Sequence, residues 1–127
     1  MYKVRWEDEA LRSLSRLDET TEKDLKSKVD KHLATDPFWN GKPMWGRWKG
    51  FWRLYLDDYR AIYEIVCEVR EKEKEVIVAV VVKIGGRQDI YTGELPASSD
   101  YRITERPKVR DLSRKVVGNR GKRKVGC

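Results

Sequence analysis

A chain of 127 residues in which 39% are charged and 39% hydrophobic can bury one compact core, which excludes a second large domain. It has no apolar run of about 18 residues, and its opening MYKVRWEDEA lacks the apolar stretch of a signal peptide, so a soluble cytoplasmic protein with no membrane partner is expected. The formal charge of +7 is confined to one end: residues 1–100 hold 18 basic against 19 acidic side chains, residues 101–127 hold 10 against 2.

Residues 2–6, YKVRW, alternate polar and apolar and suit a first strand. From residue 7 to 17 the apolar Ala10, Leu11, Leu14 and Leu17 fall at helical spacing, with Glu7, Asp8 and Glu9 favouring the N-terminal end. Thr21 and Asp24 resemble a capping box opening a second helix, on which Leu25, Val29 and Leu33 form a stripe before Pro37 forces an end. The single histidine, His32, falls on this helix.

A loop rich in Gly, Pro and Trp, residues 36–50, leads to the most informative stretch, WGRWKGFWRLYLDDYRAIYEI. Closed on Asp57 and Asp58 as a two-residue turn, it is a hairpin pairing Leu56 with Tyr59, Tyr55 with Arg60, Leu54 with Ala61 and Arg53 with Ile62. Alternation then puts Trp52, Leu54, Leu56, Tyr59, Ala61, Tyr63 and Ile65 on a core face. The other face receives Phe51, Arg53, Tyr55, Arg60, Ile62 and Glu64, so that two guanidiniums and a phenol meet, a composition suited to phosphates and a stacked base. Each arginine also has a structural reading, Arg53 as the ion-pair partner of Glu64 and Arg60 as a tie to Asp57, Asp58 or Asp89. Of the tryptophans, Trp39, Trp45 and Trp52 are expected to pack, while Trp48, between Arg47 and Lys49, is the candidate stacking platform.

EVIVAVVVKI, residues 75–84, is apolar at nearly every position, as in a strand covered on both faces. Cys67 and Cys127 belong to no CxxC or Cys/His cluster, so no metal is expected, and Cys67 is read as a small buried residue. The order β-α-α-β-β-β implies an α+β domain, an antiparallel sheet with the helical hairpin packed on one face and the other face open for ligand. Beyond Tyr91 the pattern weakens: residues 92–127 read as a basic C-terminal extension with a short helix carrying Val109, Leu112 and Val116. Such a tail attracts nucleic acid through counterion release, or is only solubilising.

YKVRW, ALRSLSRLD, GKPMWG, GFWRLYLDDYRAIYEI and VVVKIGGRQDIY, in this order over residues 2–91, resemble the RelE/ParE toxin superfamily, and within it the RelE-like mRNA interferases. The resemblance implies a toxin domain over residues 1–91, neutralised by an acidic antitoxin and cutting mRNA on the ribosome without metal or cofactor. Carried over residue by residue, it implies catalytic roles for Arg53, Arg60, Arg87 and Tyr91; Trp48, Lys49, Tyr55 and Lys83 are read from the residues themselves as RNA contacts. Tyr55 departs from the pattern, standing where some relatives carry a second lysine. Two other readings share the fold: a ParE-like inhibitor of DNA gyrase, and a catalytically degenerate RNA- or ribosome-binding module.

Overall fold

The computed structural model describes residues 1–70, 74–99 and 101–107. Among these the elements run β1 (Lys3–Trp6), α1 (Asp8–Ser15), α2 (Glu19–Thr35), β2 (Lys42–Pro43), a 3-10 turn (Gly46–Trp48), β3 (Trp52–Leu56), β4 (Tyr59–Arg70) and β5 (Lys74–Gly86). The second helix starts before Thr21: Asp18 is its N-cap, and the Asp18 carboxylate accepts the Thr21 N–H at 3.1 Å. Both residue types can cap; Asp18 prevails because Thr21 then falls at the third helical position, where its N–H needs an acceptor. Hydrogen bonding from the Thr21 side chain and backbone holds the Asp18 carboxyl below its ordinary pKa.

The hairpin forms in the expected register, Leu56 opposite Tyr59 through Arg53 opposite Ile62, with Asp57 at φ 59° closing the turn. The sheet itself is mixed rather than antiparallel throughout: its order is β1-β5-β4-β3-β2, and β1 runs parallel to β5. The helical hairpin carries the chain from one edge to the other, and the β3-β4-β5 meander brings it back, so β5 arrives beside β1 pointing the same way. The two-residue β2, inside the segment read as loop, adds the outer strand beside β3. No helix among the described residues is long and apolar enough to cross a membrane.

Both helices cover one face. Ala10, Leu14, Leu25, Val29 and Leu33 close on Trp52, Leu54, Leu56, Ala61, Tyr63 and Ile65, the core side of the hairpin, joined by Ala79, Val81 and Ile84. Each large side chain buried here contributes roughly 1.5–3 kcal/mol. The fully buried Trp52 and Tyr63 stack at 6.4 Å, and the Tyr63 hydroxyl donates to Pro37 O at 2.7 Å.

The second face is not open along its length. Met44, Trp48 and Phe51 fold over it from the β2–β3 connection and Ile90 from beyond β5, closing on Ile62, Val66, Val78, Val80 and Val82. A strand as apolar as β5 on both sides must be covered on both. A bulge adjusts this face further: pairing steps from Ile62–Lys83 to Tyr63–Val81, leaving Val82 without an opposite number. As a result Val82 and Lys83 both project to the second face, Val82 into its cluster and Lys83 against Trp48.

β3 pairs with only the first part of β4, and the chain beyond Tyr91 returns to fill the rest of that edge. Val66 and Arg102 form an antiparallel bridge, Cys67 N donates to Tyr101 O at 3.1 Å and Ile103 N to Ile65 O at 2.6 Å. The Trp52 indole donates to Ile103 O at 3.0 Å, and the Arg106 guanidinium to Phe38 O at 2.7 Å and Gly41 O at 2.9 Å. Residues 101–107 thus strap the sheet edge to the loop after α2. The short helix expected around residues 109–116, and the rest of the basic tail from residue 108, lie outside the described residues.

The strap also buries a carboxylate. Glu64 is 3% exposed, accepts the Ser99 N–H at 3.1 Å and faces Arg102. Burial pushes its pKa up, against the opposing pull of the Ser99 N–H and Arg102. The native state therefore holds the proton more tightly than the unfolded chain, and from the ordinary carboxylate range up to the raised value stability falls as pH rises. Glu64→Gln keeps the acceptor for Ser99 and removes that slope, so the variant should melt above the parent at neutral pH. A lower melting temperature would show that the charge, through Arg102, is the stabilising form.

Candidate nucleic-acid interface

Where the second face nears the β3–β4 turn, cations and aromatic rings form one continuous series of contacts. The Arg60 guanidinium lies 4.4 Å from the centre of the Tyr55 ring, and that of Arg53 lies 5.0 Å from the same ring. Arg53 continues to Tyr91, 5.8 Å from the ring centre, and donates to its hydroxyl at 3.3 Å. Tyr91 meets the Trp48 ring edge-on at 6.4 Å, and Trp48 carries Arg47 at 5.7 Å and Lys83 at 5.5 Å.

Each member is held by the chain around it. Arg53 and Arg60 come from neighbouring strands and share a face because β3 and β4 pair in the register fixed by the turn. Arg60 donates to backbone carbonyls, Asp57 O at 2.7 Å and Tyr59 O at 2.8 Å, so it ties the turn and covers Tyr55 together. Arg53 turns to the two phenols rather than to Glu64, and its Nε is buried with no partner among the described residues. Tyr91 is set by a tight turn after β5, in which Asp89 N and Ile90 N donate to Gly86 O at 3.1 and 3.0 Å. Beyond it Lys83 Nζ donates to Thr92 O at 2.7 Å and the Arg47 guanidinium to Gly93 O. Removal from solvent, then the charge of Arg47, lowers the Lys83 pKa from the ordinary lysine value, against a smaller opposing pull from Glu9.

The structure therefore brings Arg53, Arg60, Tyr91, Tyr55, Trp48 and Lys83 into one array. Arg87 stands at its end: its N–H donates to Asp58 O at 2.9 Å and its side chain is exposed beside the turn. Lys49 is exposed just past the 3-10 turn, and among the described residues no contact ties its side chain to the array. Tyr55, 46% exposed, is the open ring; Trp48, 6% exposed, is the floor beneath Tyr91 and Lys83, not a stacking platform. Trp45 reverses its expected role and stands 70% exposed, held out by the turn that begins at Gly46 with φ +67°. His32 is exposed on α2, whose packed side lies against the opposite face of the sheet.

Two cations went unassigned in the sequence reading. Arg47 grips both Trp48 and the chain after Tyr91, a long-range contact with no local signal. Lys42 lies directly opposite Arg53 on β2, a strand too short to show periodicity. The face changes character toward β1, where a groove of about 790 Å³ carries Glu7, Glu9, Glu64 and Glu68 over a floor of Val80 and Val82. The basic surface therefore ends near Lys83. No group of three His, Cys, Asp or Glu side chains among the described residues, these carboxylates included, is arranged so that it could hold a metal ion.

A guanidinium presents two N–H groups in a plane that matches a phosphate, and an exposed phenol ring accepts a stacked base. The array thus offers both kinds of contact on one short surface.

Known proteins agree with the architecture. The RelBE2 toxin-antitoxin complex of Mycobacterium tuberculosis is matched at 22% identity and a TM-score of 0.54, over 69% of this chain and 93% of that one. The isolated E. coli RelE toxin is matched at 19% identity and a TM-score of 0.46, over 79% and 89%. No curated protein matches the sequence. Residues 4–91 match the profile of the ParE toxin of type II toxin-antitoxin systems, and the chain is a member of that family, within the RelE/ParE superfamily.

Proposed function

We propose that this toxin cleaves mRNA on the ribosome, using the array from Arg60 to Tyr91 against the RNA backbone. The observation that carries the reading is the Arg60–Tyr55–Arg53 stack, two half-buried guanidiniums on one exposed ring, with Arg53 also on the Tyr91 hydroxyl. In the reaction the ribose 2'-oxygen attacks the adjacent phosphorus, the bond to the 5'-oxygen breaks, and a 2',3'-cyclic phosphate and a 5'-hydroxyl result. Arg60 and Arg87 hold the equatorial phosphate oxygens as charge grows there. Arg53 donates to the Tyr91 oxygen and so leaves the phenol's own proton free to go to the departing 5'-oxygen. Tyr55 stacks the neighbouring base. The proton of the 2'-hydroxyl passes to a group of the ribosomal complex, which also positions the message and so makes cleavage depend on the ribosome.

The antitoxin suited to this surface is acidic and extended, folding as it covers Arg53, Arg60 and Arg87. Primer extension on a defined mRNA on translating ribosomes tests the enzyme. Cleavage at A-site codons by the parent, lost in the Arg87→Ala, Tyr91→Phe variant, is the expected result. Ribosome binding without cleavage by the parent would replace it with a binding module. A second reading has a specific support, the ParE profile over residues 4–91. Inhibition of gyrase supercoiling by the pure protein, with no ribosome binding, would establish that one instead.

A further inference from the structure

Lys42, Arg53, Ile62 and Lys83 occupy one row across four strands, each paired with the next: Lys42 with Arg53, Arg53 with Ile62, Ile62 with Lys83. Strands lie about 4.8 Å apart, so this row runs perpendicular to them. Directly opposed residues project to one face, which puts Lys42 beside Arg53 on the second face. Gly41 confirms the facing, since a Cβ there would fall against Tyr63 on the helix-covered side, 2.8 Å from Arg53 O. At the middle of the row Ile62 is fully buried in the Trp48 and Phe51 cluster, with Tyr91 packed against it, so the surface reads Lys42, Arg53, aromatic rings, Lys83. Lys42 is exposed and lies at the sheet's outer edge, where β2 has no further strand beside it among the described residues.

The geometry points to Lys42 as a further RNA-contact residue: the single strand crosses the sheet along this row, entering or leaving over β2, with the Lys42 ammonium on a phosphate next to the one held by Arg53. Several features favour this path. An ammonium on a four-carbon stem next to Arg53 reaches the Tyr55 ring on the diagonal, within about 7–8 Å of backbone separation. In the other direction, beyond Lys83, the row meets the carboxylates of the groove, which repel a phosphate chain and set the far limit of the track.

The inference rests on the RNA-cleaving reading, and its test separates the two. Binding of the purified protein to ribosomes carrying an mRNA with an open A site is measured over a salt series for the parent, Lys42→Ala, Lys42→Arg and Lys31→Ala, the last on the exposed side of α2. Loss of one single-strand phosphate contact lowers the log–log salt slope by about 0.7. That drop is expected for Lys42→Ala alone, with Lys42→Arg restored to the parent and Lys31→Ala indistinguishable from it. A Lys42→Ala slope equal to the parent's, with the parent binding normally, overturns the Lys42 assignment and leaves the reading intact. A parent that does not bind ribosomes overturns both. Lys42 is exposed, so thermal melts of the variants should superimpose on the parent's.

Discussion

Arg53→Ala is expected to lower cleavage of ribosome-bound mRNA by about 10²–10³-fold, the usual effect of removing one donor aimed at developing charge. The geometry gives this residue more to lose than its neighbours. It sets the Tyr91 hydroxyl by a hydrogen bond and packs on Tyr55, so one substitution frees both phenols. Stability should hardly move, because the guanidinium's Nε has no partner among the described residues and its removal takes an unsatisfied donor out of a half-buried site. Arg53→Lys keeps the charge but not the fork and should recover only part of the rate. Single-turnover cleavage alongside a thermal melt gives the answer. A fall in rate of less than about threefold, with the melt unchanged, would remove Arg53 from the chemistry and leave it a packing residue.

The second large effect is on folding. A chain ended after Gly93 should be far less stable than one ended after Pro107. The shorter chain gives up two backbone bonds to β4, both Arg106 bonds to the loop after α2, and the carbonyl that accepts from the fully buried Trp52. At about 1 kcal/mol for each bond, and about 1–3 for an indole N–H left without its acceptor, the loss is of order 5 kcal/mol. That is comparable with the whole stability of an ordinary domain. In circular dichroism melts the longer chain should unfold cooperatively and the shorter one show little transition; Arg106→Ala in the full chain should fall between. Equal melts would mean that the strap lies on the sheet without supporting it. The family match ends at residue 91, so a dependence on residues 101–107 would place part of the fold's support outside the matched segment.

The hairpin register and the meeting of Arg53, Tyr55 and Arg60 were legible because they follow from a period of two and a two-residue turn, both local. The same logic does not place Lys83: strict alternation would send it to the helix side, and the bulge at Val82, which depends on the partner strand, brings it to the face on which an RNA contact was expected. β1's parallel partner and the short β2 were hidden for a related reason, since pairing direction and a two-residue strand leave no periodic trace. The strap was least visible. Its sequence, YRITERP, is polar and short, and its role comes from where Trp52, Phe38 and Gly41 happen to lie. The array's far members, Arg47 and Trp48, needed the fold to bring the loop over the sheet; the roles of Arg87 and Tyr91 were suggested by resemblance rather than by pattern.

The pairing of β1 with β5 has a consequence for how the molecule is made. Lys3 waits for Val78, and Trp52 waits for Ile103, so the sheet closes only between residues far apart in synthesis. Local contacts let α1, α2 and the β3–β4 hairpin form early, whereas these long loops close late. Tyr91 follows all five strands, so the array is assembled only after nearly the whole folded region has left the ribosome that made it. A nascent chain therefore carries the guanidiniums of the array before it carries the assembled array, and the interval is set by topology.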